Sequence, residues 1–435
     1  MSTVKKVVNN SAWFILCRVI KVVLGAVVSI FSARLLGAGD FGVINYSAAL
    51  TSFIMPFVLL GFNSILVKEF MDDESRDGTT LGTAIISSLC AAMIGMGACV
   101  GIAYLISPDD KTAIGVTAMY SITLIFHATE LIQYWFQAKY RAKTVALVGV
   151  LAYTVVSVYK ILLLVFKVGV YWFALSNALD FLLISAVLMY IYKKERNPRL
   201  TFSWSTQRRL LRLGYSYAIS SFMINVFTQV DKLMIKSMLG NEQNGLYSVA
   251  VACSGMFVFL FVAVIDAMRP YILEGKKTDD TVFENRFTML YSIVIYLGAL
   301  LGTAVTLGAD IMIYILYGTG YTGAGAALQI LIWSTVLSCI GGVKDIWFLA
   351  ESKQKYLLFL NTAGVISNMT LNFILLPRIG ILGAAIATVS TQFLSNILLC
   401  IFFKELRRNV ILLIKSLNPL LLLRCIGKWK EIKNK

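Results

Sequence analysis

The chain has 435 residues, 58% of them hydrophobic and only 14% charged, with a mean hydropathy of +0.77 and a formal net charge of +16. A soluble domain of ordinary usage carries about 25% charged residues, and the deficit here runs the whole length, so one buried core does not explain it. The positive charge sits between apolar runs, which sets aside the nucleic-acid reading such a charge would suggest in a soluble chain and points to orientation in a membrane.

Apolar runs of roughly 20 residues, enough to cross the hydrocarbon core of a bilayer, predict an all-α polytopic membrane protein of about twelve spans. They lie near 11–35, 43–67, 80–106, 112–138, 144–166, 168–192, 213–238, 246–268, 287–308, 324–350, 356–376 and 380–403. The first run carries Arg18 and Lys21 and no small-residue cleavage site follows it, unlike a secretory leader. Connections are short except 193–212 and 269–286. A last apolar run, Val410 to Leu423, contains Lys415 and Pro419 and is short for a span, so the interface is its expected place.

Lys and Arg test the topology. The two termini and the even connections hold 29 of the 39, against five in or beside the odd connections and five deeper in the spans. That asymmetry predicts cytoplasmic N- and C-termini.

The chain also repeats itself. Leu36-Gly37-x4-Gly42 matches Leu239-Gly240-x4-Gly245. Trp135-Phe136-x-Ala138-x4-Lys143 matches Trp347-Phe348-x-Ala350-x4-Lys355, and Lys167-x-Gly169 matches Arg378-x-Gly380. The offset stays close to six spans, which preserves the direction of every helix. This predicts two parallel-repeat six-helix lobes, 1–200 and 201–404, followed by a basic tail, 405–435. Such repeats are a transporter architecture with the substrate site between the halves. Gly37, Gly42, Gly240 and Gly245 suit tight turns and helix ends.

Ionisable groups at bilayer depth are costly and normally face a protein interior or a hydrated cavity. Arg18 and Lys21 share one face of the first span. His127, Glu130, Tyr134 and Gln137 form a polar stripe on the fourth, and Asn177 and Asp180 a shorter one on the sixth. Asn361, Asn368 and Asn372 line the eleventh, and Thr388, Gln392 and Ser395 the twelfth. Together these stripes predict a hydrated cavity. If Arg18, Lys21, Lys160, Lys232 and Lys344 face it, it favours an anion such as phosphate or pyrophosphate. The competing role is internal pairing: Asp231 adjoins Lys232 and Asp345 adjoins Lys344, although adjacent helical residues do not face each other. His127, the sole histidine, suits a proton relay with Glu130 or a structural hydrogen bond between helices.

The sequence has no GxxxxGK[ST], no HExxH and no CxxC. No ATP motor, catalytic site, metal centre or cofactor is expected, and the seven scattered cysteines suit buried thiols.

Several stretches carry a family likeness. Asn10-x2-Trp13 and Ala33-Arg34-Leu35-Leu36-Gly37-x2-Asp40-Phe41-Gly42 are followed by Trp135-Phe136-Gln137 and Val230-Asp231-Lys232-Leu233-Met234. Then come Gly245-Leu246-Tyr247-Ser248-Val249-Ala250, Tyr317-Gly318 and Gly380-Ile381-Leu382-Gly383-Ala384-Ala385-Ile386-Ala387. In order and spacing they resemble Wzx-type polysaccharide (O-antigen) flippases of the multidrug/oligosaccharidyl-lipid/polysaccharide exporter superfamily, over residues 1 to about 404.

The resemblance implies two lobes around a cavity opening alternately to each side of a bacterial cytoplasmic membrane. It implies an undecaprenyl-diphosphate-linked oligosaccharide as substrate, moved from the inner to the outer leaflet. Proton or sodium coupling and a polysaccharide polymerase working alongside are expected with it. Arg18, Lys21, Lys160, Lys232 and Lys344 are the residues onto which its cationic cavity maps. A cation-coupled drug exporter of the same superfamily wants an acidic cavity, against which these five cations count. A membrane polymerase wants a large outward loop, which the short odd connections do not supply.

Overall fold

The computed structural model describes residues 3–195 and 198–419. Within that range the side chains of 3–16, 18, 19, 277 and 278 are not described, so Arg18 lies outside the described side chains, as does the tail beyond 419.

The described chain is helical. The first helix, α1 (Thr3–Leu59), is broken at Gly37. After it come α2 (Phe62–Asp72), α3 (Asp77–Ile106), α4 (Lys111–Ser121), α5 (Thr123–Glu130) and α6 (Ile132–Ala138). Next are α7 (Ala142–Val165), α8 (Val170–Lys194), α9 (Trp204–Leu239), α10 (Asn241–Gly255), α11 (Val258–Thr278) and α12 (Asp280–Tyr317). The last are α13 (Gly325–Ala350), α14 (Lys355–Ile379), α15 (Ile381–Phe393), α16 (Leu399–Phe402) and α17 (Arg407–Lys415).

Among the described residues, ten helical stretches are long and apolar enough to cross a membrane. One of them contains Gly37 and so holds the first two predicted spans; α9 has the length of a span at lower apolarity. Those two facts reconcile ten stretches with about twelve spans. The fourth predicted span is built from α4, α5 and α6, and the eighth from α10 and α11.

The sequence repeat is written into the backbone. Gly37 (φ 77°, ψ 170°) and Gly240 (φ 90°, ψ −177°) turn the chain in the same way. That conformation strains any residue with a Cβ, which is why both positions are glycine. Tyr140 and Ser352 both adopt positive φ, and the helices before them close with matching hydrogen bonds. Arg141 N–H donates to Phe136 O at 2.8 Å, and Lys353 N–H to Phe348 O at 2.7 Å. This is one helix-ending motif used twice.

Gly42 and Gly245 play a different part from Gly37 and Gly240. A Cβ on Gly42 would stand 1.8 Å from the Asn241 carbonyl oxygen, and one on Gly245 would stand 2.0 Å from that of Ala38. They permit reciprocal close approach of two backbones rather than a turn. Asn244 Nδ2 donates to Gly42 O at 2.9 Å across the same contact.

By contacts the chain forms two compact units, residues 1–245 and 246–435. In the first, Phe62, Phe70, Leu81, Trp135, Phe136 and Tyr192 form the main core. In the second, Phe261, Phe283, Phe287, Tyr291, Trp347 and Phe348 do so. Val410, Leu412 and Leu413 of α17 join that second core, while Ile411, Ile414 and Leu417 stay exposed. Asn409 Oδ1 accepts from Tyr291 Oη at 3.1 Å, and Ser292 Oγ donates to Ser416 O at 3.0 Å. The described part of the 410–423 run is therefore packed into its bundle on one face as well as apolar on the other.

Candidate functional site

The first unit gathers ionisable groups from four helical segments. Lys160 on α7 is only 8% exposed and donates from Nζ to Asn177 Oδ1 on α8 at 2.7 Å. Asn177 is itself held by α8, donating from Nδ2 to the carbonyls of Phe173 (3.1 Å) and Ala174 (3.3 Å). Its carbonyl oxygen is thereby aimed at the amine. Asp180, one turn further along α8, is also 8% exposed. Lys21, Lys160, His127 and Glu130 all act on it electrostatically. Its Oδ1 has no hydrogen-bond partner among the described residues.

Lys21 reaches this group because the facing helix gives way. A Cβ on Gly149 of α7 would lie 2.6 Å from Lys21 Nζ. The relation is reciprocal, since a Cβ on Gly25 of α1 would meet the Tyr153 hydroxyl of α7 at 2.9 Å. On α5, His127 Nδ1 stands 3.3 Å from Glu130 Oε2, one turn along. The His127 ring packs on Phe181 of α8 with centroids 3.7 Å apart. Tyr134 lies within electrostatic reach of Glu130, and Gln137 is half-buried at the end of α6.

Such a group is expensive. Each charge removed from water costs several kcal/mol unless neighbours compensate. Two amines, one amide and two carboxylates in one buried region compensate each other only in part, and the open Asp180 oxygen marks the unsatisfied remainder. Chemically, the arrangement offers amines to an anion and carboxylates to a proton.

The other sequence candidates lie elsewhere. Lys344 on α13 is 3% exposed and donates to Asn396 Oδ1 at 2.9 Å; Asn396 in turn donates to Gln392 Oε1 at 2.8 Å. Asp345 lies 3.8 Å from the same amine, so these adjacent residues do approach despite their helical spacing. Lys232, half-buried on α9, is within electrostatic reach of its neighbour Asp231. Asn368 and Asn372 on α14 are buried, and Asn372 Nδ2 donates to Asn368 Oδ1 at 3.1 Å. Among the described residues no cluster of His, Cys, Asp and Glu is placed to hold a metal ion.

Sequence reasoning missed a second polar centre in the first unit. Lys236, 5% exposed, donates to Asp110 Oδ2 at 2.7 Å and to Ser107 Oγ at 3.1 Å. Asn241 Nδ2 reaches the same carboxylate oxygen at 2.8 Å, and Asp110 Oδ1 caps α4 through the Ala113 amide at 2.9 Å. Burial works to raise the Asp110 carboxyl, but the bonds from Lys236, the Ala113 amide and Asn241 prevail and hold it below the usual carboxylate range. The partners are 126 residues apart, and no local spacing links them.

Comparison with known proteins adds a family. The model described as "Polysaccharide biosynthesis protein" matches residues 7–276. The chain is 24% identical over 388 residues to the probable flippase AglR of Haloferax volcanii, covering 86% of this chain and 79% of that one. It is 21% identical over 413 residues to the capsular polysaccharide biosynthesis protein CapF of Staphylococcus aureus, covering 92% and 100%. Among solved structures, the lipid II flippase MurJ in an inward closed conformation is similar with a TM-score of 0.70 at 14% identity, over 95% of this chain and 92% of that one. An inward-facing multidrug resistance MATE transporter of the MOP superfamily is similar at 0.64 and 15%, over 91% and 96%. At these identities the structural likenesses speak for the fold.

Proposed function

The chain belongs to the polysaccharide biosynthesis protein family, and from that premise we propose that it is a flippase. Its substrate is an undecaprenyl-diphosphate-linked oligosaccharide repeat unit, carried by alternating access from the inner to the outer leaflet of a bacterial cytoplasmic membrane. Both termini face the cytoplasm, in keeping with the 29 Lys and Arg on that side.

The observation that carries the reading is the buried cationic group of the first unit. Lys160, oriented by Asn177, and Lys21, accommodated by Gly149, present two amines in an apolar bundle. The sequence spacing predicts Arg18 on the Lys21 face of the first span. Amines and a guanidinium suit a diphosphate better than a neutral or cationic cargo. Asp180 is the internal counter-ion that balances them between substrates. With Glu130 and His127 it exchanges the proton that couples transport to a gradient. Lys232 adds a further cation and Tyr134 and Gln137 add neutral polar contacts within the first unit, while Lys344, Asn368 and Asn372 give the second unit a polar set of its own.

The test is the sidedness of lipid-linked oligosaccharide in cells lacking the gene, probed with a membrane-impermeant glycosidase. Cytoplasmic accumulation reversed by the wild-type gene is expected. Normal outward display would remove the assignment. Replacing both Arg18 and Lys21 with Ala should leave the protein folded and block the reversal.

A further inference from the structure

We propose that a cavity between the second segment of α1, the start of α2 and α9 is a carbohydrate subsite that takes a neutral sugar residue. This rests on the flippase reading and names which part of the headgroup goes where. The cavity has a volume of about 240 Å³. Its polar lining comes from Asn63, Ser221 and Asn225, its apolar lining from Met55, Leu59 and Ile224.

Three features select the occupant. No ionised side chain lines the cavity, so nothing there rewards a diphosphate. None of the side chains of Asn63, Ser221 and Asn225 has a hydrogen-bond partner among the described residues. Two amides and a hydroxyl, each able to donate and accept, match the hydroxyl and acetamido groups of a sugar. Met55, Leu59 and Ile224 offer an apolar wall to the C–H face of the ring. An isoprenoid chain would also fit the volume, but it would strip water from three polar side chains and give them nothing in return.

The position is fixed by the backbone. A Cβ on Gly61 would stand 2.1 Å from Gly214 O, and one on Gly214 would stand 2.3 Å from Leu60 O, so α1 and α9 meet tightly beside the cavity. Phe222 of α9 packs against Phe53 and Phe57 of α1, with centroids 5.3 and 4.9 Å away. The cavity is the space these contacts leave. By the charge distribution it lies toward the cytoplasmic ends of the second and seventh spans, where a headgroup destined for export enters. It shares no lining residue with the group around Lys160 and Asp180, so sugar and diphosphate are read by different side chains.

The experiment uses the full chain in nanodiscs and two probes, undecaprenyl diphosphate and the same lipid bearing one N-acetylglucosamine. Wild type should bind the sugar-bearing probe about tenfold more tightly, the effect of one or two well-formed hydrogen bonds. The double variant Asn63→Leu/Asn225→Leu, nearly isosteric and compatible with a membrane interior, should erase that preference and leave undecaprenyl diphosphate binding unchanged. Ser221→Ala, which removes a single oxygen, should lower the preference by a smaller factor. Equal weakening of both probes, an unchanged preference in the double variant, or no preference in wild type would each overturn the subsite. Wild-type protein that binds neither probe would instead overturn the flippase reading on which it rests.

Discussion

Helices α7 and α8 of the first unit and α14 and α15 of the second occupy matching places in the repeat, yet they differ in charge. Lys160 answers to Asn372 at the spacing that separates Trp135 from Trp347. Asn177 and Asp180 answer to Thr388 and Thr391 at the spacing that separates Gly169 from Gly380. All but Asn177 and Thr388 of these six are buried. The turns between the paired helices also correspond, with Gly169 and Gly380 both at positive φ. One version of the hairpin thus carries an amine and a carboxylate, and the other carries an amide and hydroxyls. The fold does not require the charges, because its second copy stands without them. Burying them is costly, which is in keeping with the substrate-binding role proposed for them.

That contrast can be broken most severely at Lys160. Lys160→Met removes the amine but keeps much of its bulk, and transport should fall about 100-fold, as for loss of a charge-assisted contact to a phosphate. Asn372→Lys in the same background should not restore it. Export of labelled glycan from cells at matched expression checks both. A milder change is Gly149→Ala. The new methyl must push the Lys21 amine aside, at the far end of a flexible side chain, so packing should survive. Transport should fall about tenfold with a melting temperature within about 2 °C of wild type.

Two further variants ask what is structural. Asp110→Asn should destabilise the protein by about 2 kcal/mol, because it leaves the buried Lys236 without its counter-charge while the carboxylate itself is partly solvated. The folded carboxyl titrates below its ordinary value, so its stabilising effect is complete above the unfolded pKa of about 3.9 and fades as pH falls through the folded one. The gap in melting temperature between wild type and variant should therefore persist at neutral pH and close only in strong acid. The smallest effect is expected at a pair of repeat positions with opposite signs. Lys139, which binds Asp77 at 3.0 Å, corresponds to Glu351, which binds Lys276 at 2.6 Å. Lys139→Gln should cost about 1 kcal/mol in thermal unfolding, since Asp77 keeps its bond from Trp135 Nε1 and the lysine and its second partner Glu74 are reached by solvent.

Parts of the site were legible because they are local. His127 and Glu130 stand one helical turn apart, and Asn177 and Asp180 share a face of α8, so helical periodicity brings them together. Lys160 and Asn177 lie on neighbouring helices joined by a short turn, and a hairpin pairs them. Lys21 reads as an intramembrane cation, but the first span offers no acid, and the carboxylate on which it acts, Asp180, comes from the sixth. Gly149, which makes room for the Lys21 amine, looks like any other small residue in an apolar helix. Lys236 lies near the end of a long helix and reads as solvated until Asp110 arrives from a distant loop.

The sequence by itself determined the membrane-spanning helical class, the approximate span count and the internal repeat. Apolar run length and glycine chemistry are properties of short segments, and no distant contact alters them. The tertiary structure alone decided which charges meet, that Gly42 and Gly245 serve backbone approach rather than turns, and where neutral polar side chains share a cavity. Those depend on side-chain atoms brought within a few ångströms from residues far apart in the chain. Electrostatics and hydrogen bonding fall off so steeply with distance and angle that only packed helices fix them.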